Sequence, residues 1–223
     1  MNFDERASTW DEDPAKIARA QRVAALLREQ LPLTGAERIL DIGGGTGQLS
    51  FNLADAVAEV TITDAAAGMI EVAARGIEQR GLGDRFRAIR LDLTTDEPPA
   101  DTFDGAWSLL ALHHVPDVDL LLAMVYALLR PGGWFAVVDL DHDAHGAFHQ
   151  HLHSQRGKHD HGQSGRAEGE FVVHDGFDRN GFADRLRAAG FTRVSLSDGG
   201  VVRKKVEGQE ADFPMFLAVA HRE

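Results

Sequence analysis

The chain has no cysteine in its 223 residues, which excludes disulfides, thiolate–zinc sites and a thiol nucleophile. Positive charge is also scarce. Lys and Arg number 23 against 35 Asp and Glu, a formal net charge of −12. Non-specific nucleic-acid and anionic-membrane surfaces need clustered cations, and the only basic run is Arg203-Lys204-Lys205. Neither kind of partner is expected. Long apolar runs are missing too: nothing approaches the roughly 18 apolar residues of a membrane span. The opening residues, Met1-Asn2-Phe3-Asp4-Glu5-Arg6, are acidic and polar, unlike a secretory leader. A cytoplasmic protein is expected, and nothing in the sequence sets an oligomeric state. No internal repeat or linker breaks the chain. At 43% hydrophobic content it can bury a full core as one large α/β domain.

What is present starts with Ile39-Leu40-Asp41-Ile42-Gly43-Gly44-Gly45-Thr46-Gly47-Gln48-Leu49-Ser50. An apolar strand runs into a glycine turn, and the turn into a helix start. Glycine lets the backbone take positive φ and lets a ligand approach the main chain. The following helix presents N–H groups and a positive dipole end. A nicotinamide or flavin site would place a third glycine at position 48. That position is Gln, and the third glycine falls at 47. A tight turn without a ligand is the plain alternative.

The rest alternates strand and helix. Asp13-Pro14 reads as a helix start. Ile17, Ala20, Val23, Ala24, Leu27 and Leu31 follow at helical spacing until Pro32. Further helices are expected over 46–56, 65–80, 117–129 and 179–189, with strands at 59–64, 86–91, 104–110, 134–140, 194–197 and 213–221. This rhythm predicts a doubly wound, mostly parallel sheet with helices on both faces. Asp41, Asp64 and Asp92 fall at or just beyond the ends of the first three strands, where ligands bind in such sheets. Asp64 lies where an acid would accept from ribose hydroxyls. Each acid alone could equally be a cap.

The D-x-G-x-G-x-G spacing from Asp41 resembles the first motif of the class I S-adenosylmethionine-dependent methyltransferases, small-molecule type. Asp64 followed by Met69, then Asp92-Leu93, Phe103–Ser108 with Leu112-His113-His114-Val115-Pro116-Asp117, and Leu128–Gly133 resemble its later motifs. The likeness extends from Phe3–Ala7 and Trp10-Asp11 to the closing 213–222 segment. It implies a seven-stranded Rossmann-like sheet with an antiparallel strand at 213–221, S-adenosylmethionine as cofactor, and a small-molecule acceptor. It further implies that Asp41, Gly43, Gly45 and Gly47 cradle the methionine end and that Asp64 holds the ribose. Met69, Asp92 and Leu93 then hold the adenine, with Leu109 lining the same site. Trp10 belongs to a segment, 1–34, that covers the cofactor.

Methyl transfer from a sulfonium needs mainly alignment and a water-poor pocket, with a base where the acceptor must lose a proton. His113, His114, Asp139 and Asp141 are placed to serve, with His113, His114 and Asp139 taken as the catalytic set. Each has a structural alternative: the His pair could hold its loop, and Asp139 or Asp141 could pair with an Arg. Residues 141–175 break the strand–helix rhythm and carry seven of the eleven histidines within 142–161. His145, His149 and His153 have the spacing of a metal set on a helix, but the glycines at 146, 157, 162 and 165 favour an acceptor-side lid, and no metal is assigned. A protein that binds the cofactor or its product without transferring methyl, as a sensor or assembly partner, is the alternative function. Gln48 disfavours a nicotinamide oxidoreductase.

Overall fold

The computed structural model describes residues 3–142, 148, 174–206 and 208–223. A seven-stranded sheet organises them. Its strands are β1 Arg38–Ile42, β2 Glu59–Asp64, β3 Phe86–Arg90, β4 Phe103–Leu109, β5 Leu129–Leu140, β6 Thr192–Val206 and β7 Gln209–His221. They lie in the order β3-β2-β1-β4-β5-β7-β6. Pairs among the first five are parallel, and β7 runs antiparallel to both its neighbours. The order reverses between β1 and β4. A crevice opens at such a reversal beyond the strand ends.

Helices cover both faces because the strands alternate. After a one-turn helix α1, Phe3–Arg6, the first face is covered by α2 Pro14–Gln30, α3 Gln48–Asn52 and α4 Ala67–Gln79, whose Val23, Leu27, Leu49 and Ile77 share one core cluster with Ile39. Its neighbour Leu40 packs with Leu121, Val125, Phe182 and Leu186, from α5 Val118–Leu128 and α6 Arg179–Ala188. Each such side chain, fully buried, stabilises the fold by about 1.5–3 kcal/mol. The helix starts follow their caps. Asp13 accepts from Ala15 N at 2.9 Å with Pro14 next, Asp117 accepts from Leu120 N at 2.9 Å, and Asp178 accepts from Gly181 N at 2.7 Å. Among the described residues no helix is long and apolar enough to cross a membrane.

Three elements differ from the sequence expectation. The helix expected over 46–56 shortens to Gln48–Asn52, since Gly47 sits in the left-handed region at φ 85° and fixes the start. β5 begins at Leu129 rather than 134, because Leu129 already pairs with Phe103 before an irregularity at the Pro131–Gly133 bend. The largest difference is at the C-terminal end, where two short strands prove to be one long hairpin. Asp198-Gly199-Gly200 reads as a strand breaker, yet it forms a bulge inside β6. A Cβ at Gly199 would lie 2.7 Å from the Phe216 backbone, and Gly200 has φ +92°. The glycines let the strand bend and continue. Its outer half, 201–206 against 209–214, extends past the last β5–β7 pair, Leu140↔Met215.

Candidate active site

At the carboxyl ends of β1, β2 and β4 lies a cavity of about 560 Å³, within the size range of small-molecule sites, about 300–1,000 Å³. Asp41, Gly43, Gly45, Asp64, Met69, Asp92, Leu93, Leu109, Trp10, His113 and His114 all line it. Gly47 and Asp139 do not. Gly47 starts α3, and a Cβ there would meet the Phe51 ring at 2.9 Å and Ile62 at 3.0 Å. Its reason is packing and positive φ. Asp139 stands behind His113, fully buried.

The glycine turn is held from three sides. Gly44 N donates to Thr63 O at 2.8 Å, and Gly45 N to Asp64 Oδ2 at 3.0 Å. Asp11, from the N-terminal segment, accepts from Thr46 Oγ1 at 2.7 Å and from Gln48 Nε2 at 2.8 Å. The same segment reaches α4, where Gly68 N donates to Asp4 Oδ1 at 2.7 Å, a carboxylate at a helix N-terminus. Gln48, which in sequence disfavours a dinucleotide site, thus has a structural task as well: its amide is one of the two ties to Asp11.

Gly43 has φ +62°, and a Cβ there would fall 2.3 Å from Ala111 Cβ. Gly43→Ala therefore adds left-handed strain to a clash with the loop that carries His113. Destabilisation of about 2–4 kcal/mol is expected, read as a lowered denaturant midpoint; an unchanged midpoint would show that the turn and the loop can separate.

Asp41 is buried, its Oδ2 accepting from Ser50 Oγ at 2.6 Å, and Trp107 Nε1 donates to the same hydroxyl at 3.2 Å. Burial pushes its carboxyl up to about 7 from an ordinary value of 3.8; the Ser50 and Trp107 hydrogen bonds oppose the rise and the Asp64 charge adds to it. The folded chain thus binds this proton more tightly than the unfolded chain. Its stabilising contribution is complete below about pH 4 and is lost as pH rises to about 7. Melting curves of wild type and Asp41→Asn from pH 5 to 8 check this. Wild type should lose melting temperature relative to the variant as pH rises, and parallel curves would contradict it. Asp64, shifted upward chiefly by burial, accepts from Ala66 N at 2.9 Å as well as from Gly45. Asp92 Oδ1 accepts from Thr94 N and Oγ1 at 2.9 and 2.6 Å, fixing the turn that contains Leu93.

The opposite wall carries the histidines. Leu110, at the end of β4, is held at φ 53°, an uncommon conformation for a branched residue, and turns the chain into a short 3-10 segment, Leu112–His114. Asp139 organises it. One oxygen accepts from Leu112 N at 3.0 Å, and the other lies 2.6 Å from His113 Nδ1 and accepts from Leu140 N at 2.7 Å. His114 packs its ring 4.0 Å from that of His113 and 5.1 Å from Phe3. His174 stays out of the cavity. Its N donates to His113 O at 2.8 Å and its Nε2 lies 3.0 Å from Val115 O, so it braces the loop. Asp141 is engaged in two 2.6 Å hydrogen bonds from Arg179.

Among the described residues no group of three His, Asp or Glu could hold a metal. His145, His149 and His153, and the lid expected over 141–175, lie outside the described residues apart from 141–142, Phe148 and 174–175. The hairpin β6–β7 supplies wall residues that no sequence motif marks, Val202 and Lys204. Only the continuation of β6 past its bulge brings them there.

A parallel sheet reversed between β1 and β4, with an acid-flanked glycine turn and an acid after each of the next two strands, is the fold of the class I S-adenosylmethionine-dependent methyltransferases. Residues 39–133 match the family model described as a methyltransferase domain. The chain is 40% identical over 120 residues to a ubiquinone biosynthesis O-methyltransferase of Methylocella silvestris, a match covering 52% of this chain and 46% of that protein. It spans about half the length of the curated relatives it matches. Among solved structures, an S-adenosylmethionine-dependent methyltransferase from Aquifex aeolicus shares the fold at TM-score 0.65 and 17% identity, over 97% of each chain. The [4+2]-cyclase SpnF does so at TM-score 0.66 and 19% identity, over 91% of this chain and 81% of that one.

Proposed function

We propose that the chain transfers a methyl group from S-adenosylmethionine to a small-molecule acceptor whose nucleophile loses a proton. One observation carries this reading: the glycine turn, Asp64, Asp92 and the Asp139-held His113 meet around a single cavity. The residues fit the cofactor. Asp64 has two backbone donors, from Gly45 and Ala66, and a carboxylate accepts about four hydrogen bonds, so ribose hydroxyls can be added. Asp41 offers a buried carboxylate to the ammonium of the methionine end. Met69 and Leu93 supply apolar walls for the adenine, and Asp92 an acceptor for its amine. When bound, the cofactor supplies a methyl group already activated on a sulfonium.

The chain's own work is to align, exclude water and take a proton. Asp139 accepts from Nδ1, so His113 keeps its proton there and its lone pair on Nε2. From the cavity wall, Nε2 takes the proton of the acceptor as its nucleophile attacks. Asp139 is then a positioning residue, which orients His113 and stabilises its cation. His114 and Phe3 close the wall beside it. Trp10 and Asp11 close the cofactor half from the N-terminal segment.

Cofactor binding without methyl transfer is the second reading, kept because a fold of this kind also serves a cyclase and so does not fix the reaction. Incubation with methyl-labelled S-adenosylmethionine and a fractionated small-molecule extract separates the two. Label in a small-molecule product, with equimolar S-adenosylhomocysteine, is the expected result. Tight cofactor binding without any transfer would favour the second reading.

A further inference from the structure

Arg19, near the start of α2, lines the cavity with its side chain partly buried. Among the described residues it enters no hydrogen bond and no ion pair. Its polar neighbours are engaged elsewhere. The oxygens of Asp11 accept from Thr46 and Gln48, and Asp13 caps α2 through Ala15 N. Lys16 donates to Trp10 O, its ammonium lying 3.4 Å over the Trp10 ring. A guanidinium keeps its charge throughout the physiological range, so removing it from water without a partner costs stability. Burial accordingly pushes the Arg19 pKa down; the Asp13 charge opposes the shift and the Arg22 charge adds to it.

Its place follows from the two helices beside the glycine turn. α2 and α3 run side by side in the same direction. Arg28, near the end of α2, donates to Asn52 O and to Asp55 at the end of α3, while Asp11, just before α2, accepts from Thr46 and Gln48 at the start of α3. From Arg28 back to Arg19, α2 rises about 13.5 Å, whereas α3 rises only about 6 Å from Asn52 back to Gln48. Arg19 therefore stands beyond the start of α3, level with the glycine turn. Its buried neighbour Ala20 lines the same cavity beside Gln48 and Leu49.

We propose that Arg19 binds the carboxylate at the methionine end of S-adenosylmethionine and makes the site selective for ligands that carry it. The inference rests on the methyltransferase reading and supplies the counter-charge that reading leaves open. The methionine end is a zwitterion. Asp41 answers its ammonium, and the carboxylate beside it calls for a donor on the same turn. A guanidinium offers two parallel N–H groups in the geometry a carboxylate accepts. The pairing also restores a partner to the buried cation, so what costs the ligand-free chain stability contributes to affinity once the ligand is bound.

The test is calorimetry of the full chain with S-adenosylhomocysteine and with its decarboxylated counterpart. The second ligand keeps the ammonium, ribose and adenine and lacks only the carboxylate. Wild type should bind S-adenosylhomocysteine about tenfold or more tightly than the decarboxylated ligand. Arg19→Gln should bind the two about equally, through a loss confined to S-adenosylhomocysteine, and Arg19→Lys should keep part of the preference. Arg22→Gln removes the same charge from an exposed position on the same helix and should keep the preference whole. Equal binding of the two ligands by wild type, or a preference that survives Arg19→Gln, would overturn the proposal and leave the cofactor reading in place. A preference lost equally in Arg22→Gln would reduce the effect to overall charge and overturn it as well. No binding of S-adenosylhomocysteine by wild type would remove the cofactor reading, and the proposal with it.

Discussion

Asp64→Ala is expected to weaken S-adenosylmethionine binding by about 1–3 kcal/mol, roughly five- to 150-fold in dissociation constant. Two losses add up. The carboxylate that would accept from the ribose hydroxyls is removed, and the glycine turn loses its tie from Gly45 N to Asp64. Asp64→Asn separates them. An amide oxygen can still accept from Gly45, so the turn is kept while charge-assisted acceptance is lost, and the Asn variant should fall between wild type and Ala. Calorimetric titration of the three proteins measures this. Equal dissociation constants would remove Asp64 from the ribose role.

Asp139 is where a single atom change should cost most. Asp139→Ala leaves Leu112 N, Leu140 N and His113 Nδ1 without their acceptor in a fully buried place. Breaking such a buried set costs about 3–5 kcal/mol, so this variant should melt far earlier or fail to accumulate. Asp139→Asn is the informative variant. It keeps the volume and one acceptor oxygen, but its amide presents a donor to His113, which then holds its proton on Nε2 and cannot act as a base there. The turnover number is expected to drop by about 10²–10⁴-fold with cofactor affinity unchanged, and His113→Gln should fall as far. Asp139→Asn with near wild-type turnover would show that the pair only holds the loop.

That the glycine turn and the acids line one cavity was legible in sequence because their placement is local. Asp41, Gly43 and Gly45 sit within five residues, and Asp64 and Asp92 each follow a short apolar run, so strand order alone brings them together. The wall beyond the histidines was not, because its residues meet only through long-range packing. Lys204 reaches the cavity by way of a strand that continues through Asp198-Gly199-Gly200, a triplet that reads locally as a stop. Its aromatic contact, Phe148, lies in the segment with least periodicity. The partnership of Asp139 with His113 was equally hidden. Both were singled out, but nothing in their spacing shows that one carboxylate would gather the Leu112, Leu140 and His113 donors and so leave the cavity wall. Gly47 carries a similar lesson: the motif placed it with the cradle, while packing against Phe51 and Ile62 explains it.

The most direct measurement is calorimetric titration of the full chain with S-adenosylhomocysteine and, separately, with NADH. One-to-one binding of S-adenosylhomocysteine, weakened in Asp64→Ala and accompanied by no NADH binding, is the result expected of this glycine turn and its acids. No binding of S-adenosylhomocysteine, or tight binding of NADH in its place, would contradict the assignment of the cavity to S-adenosylmethionine.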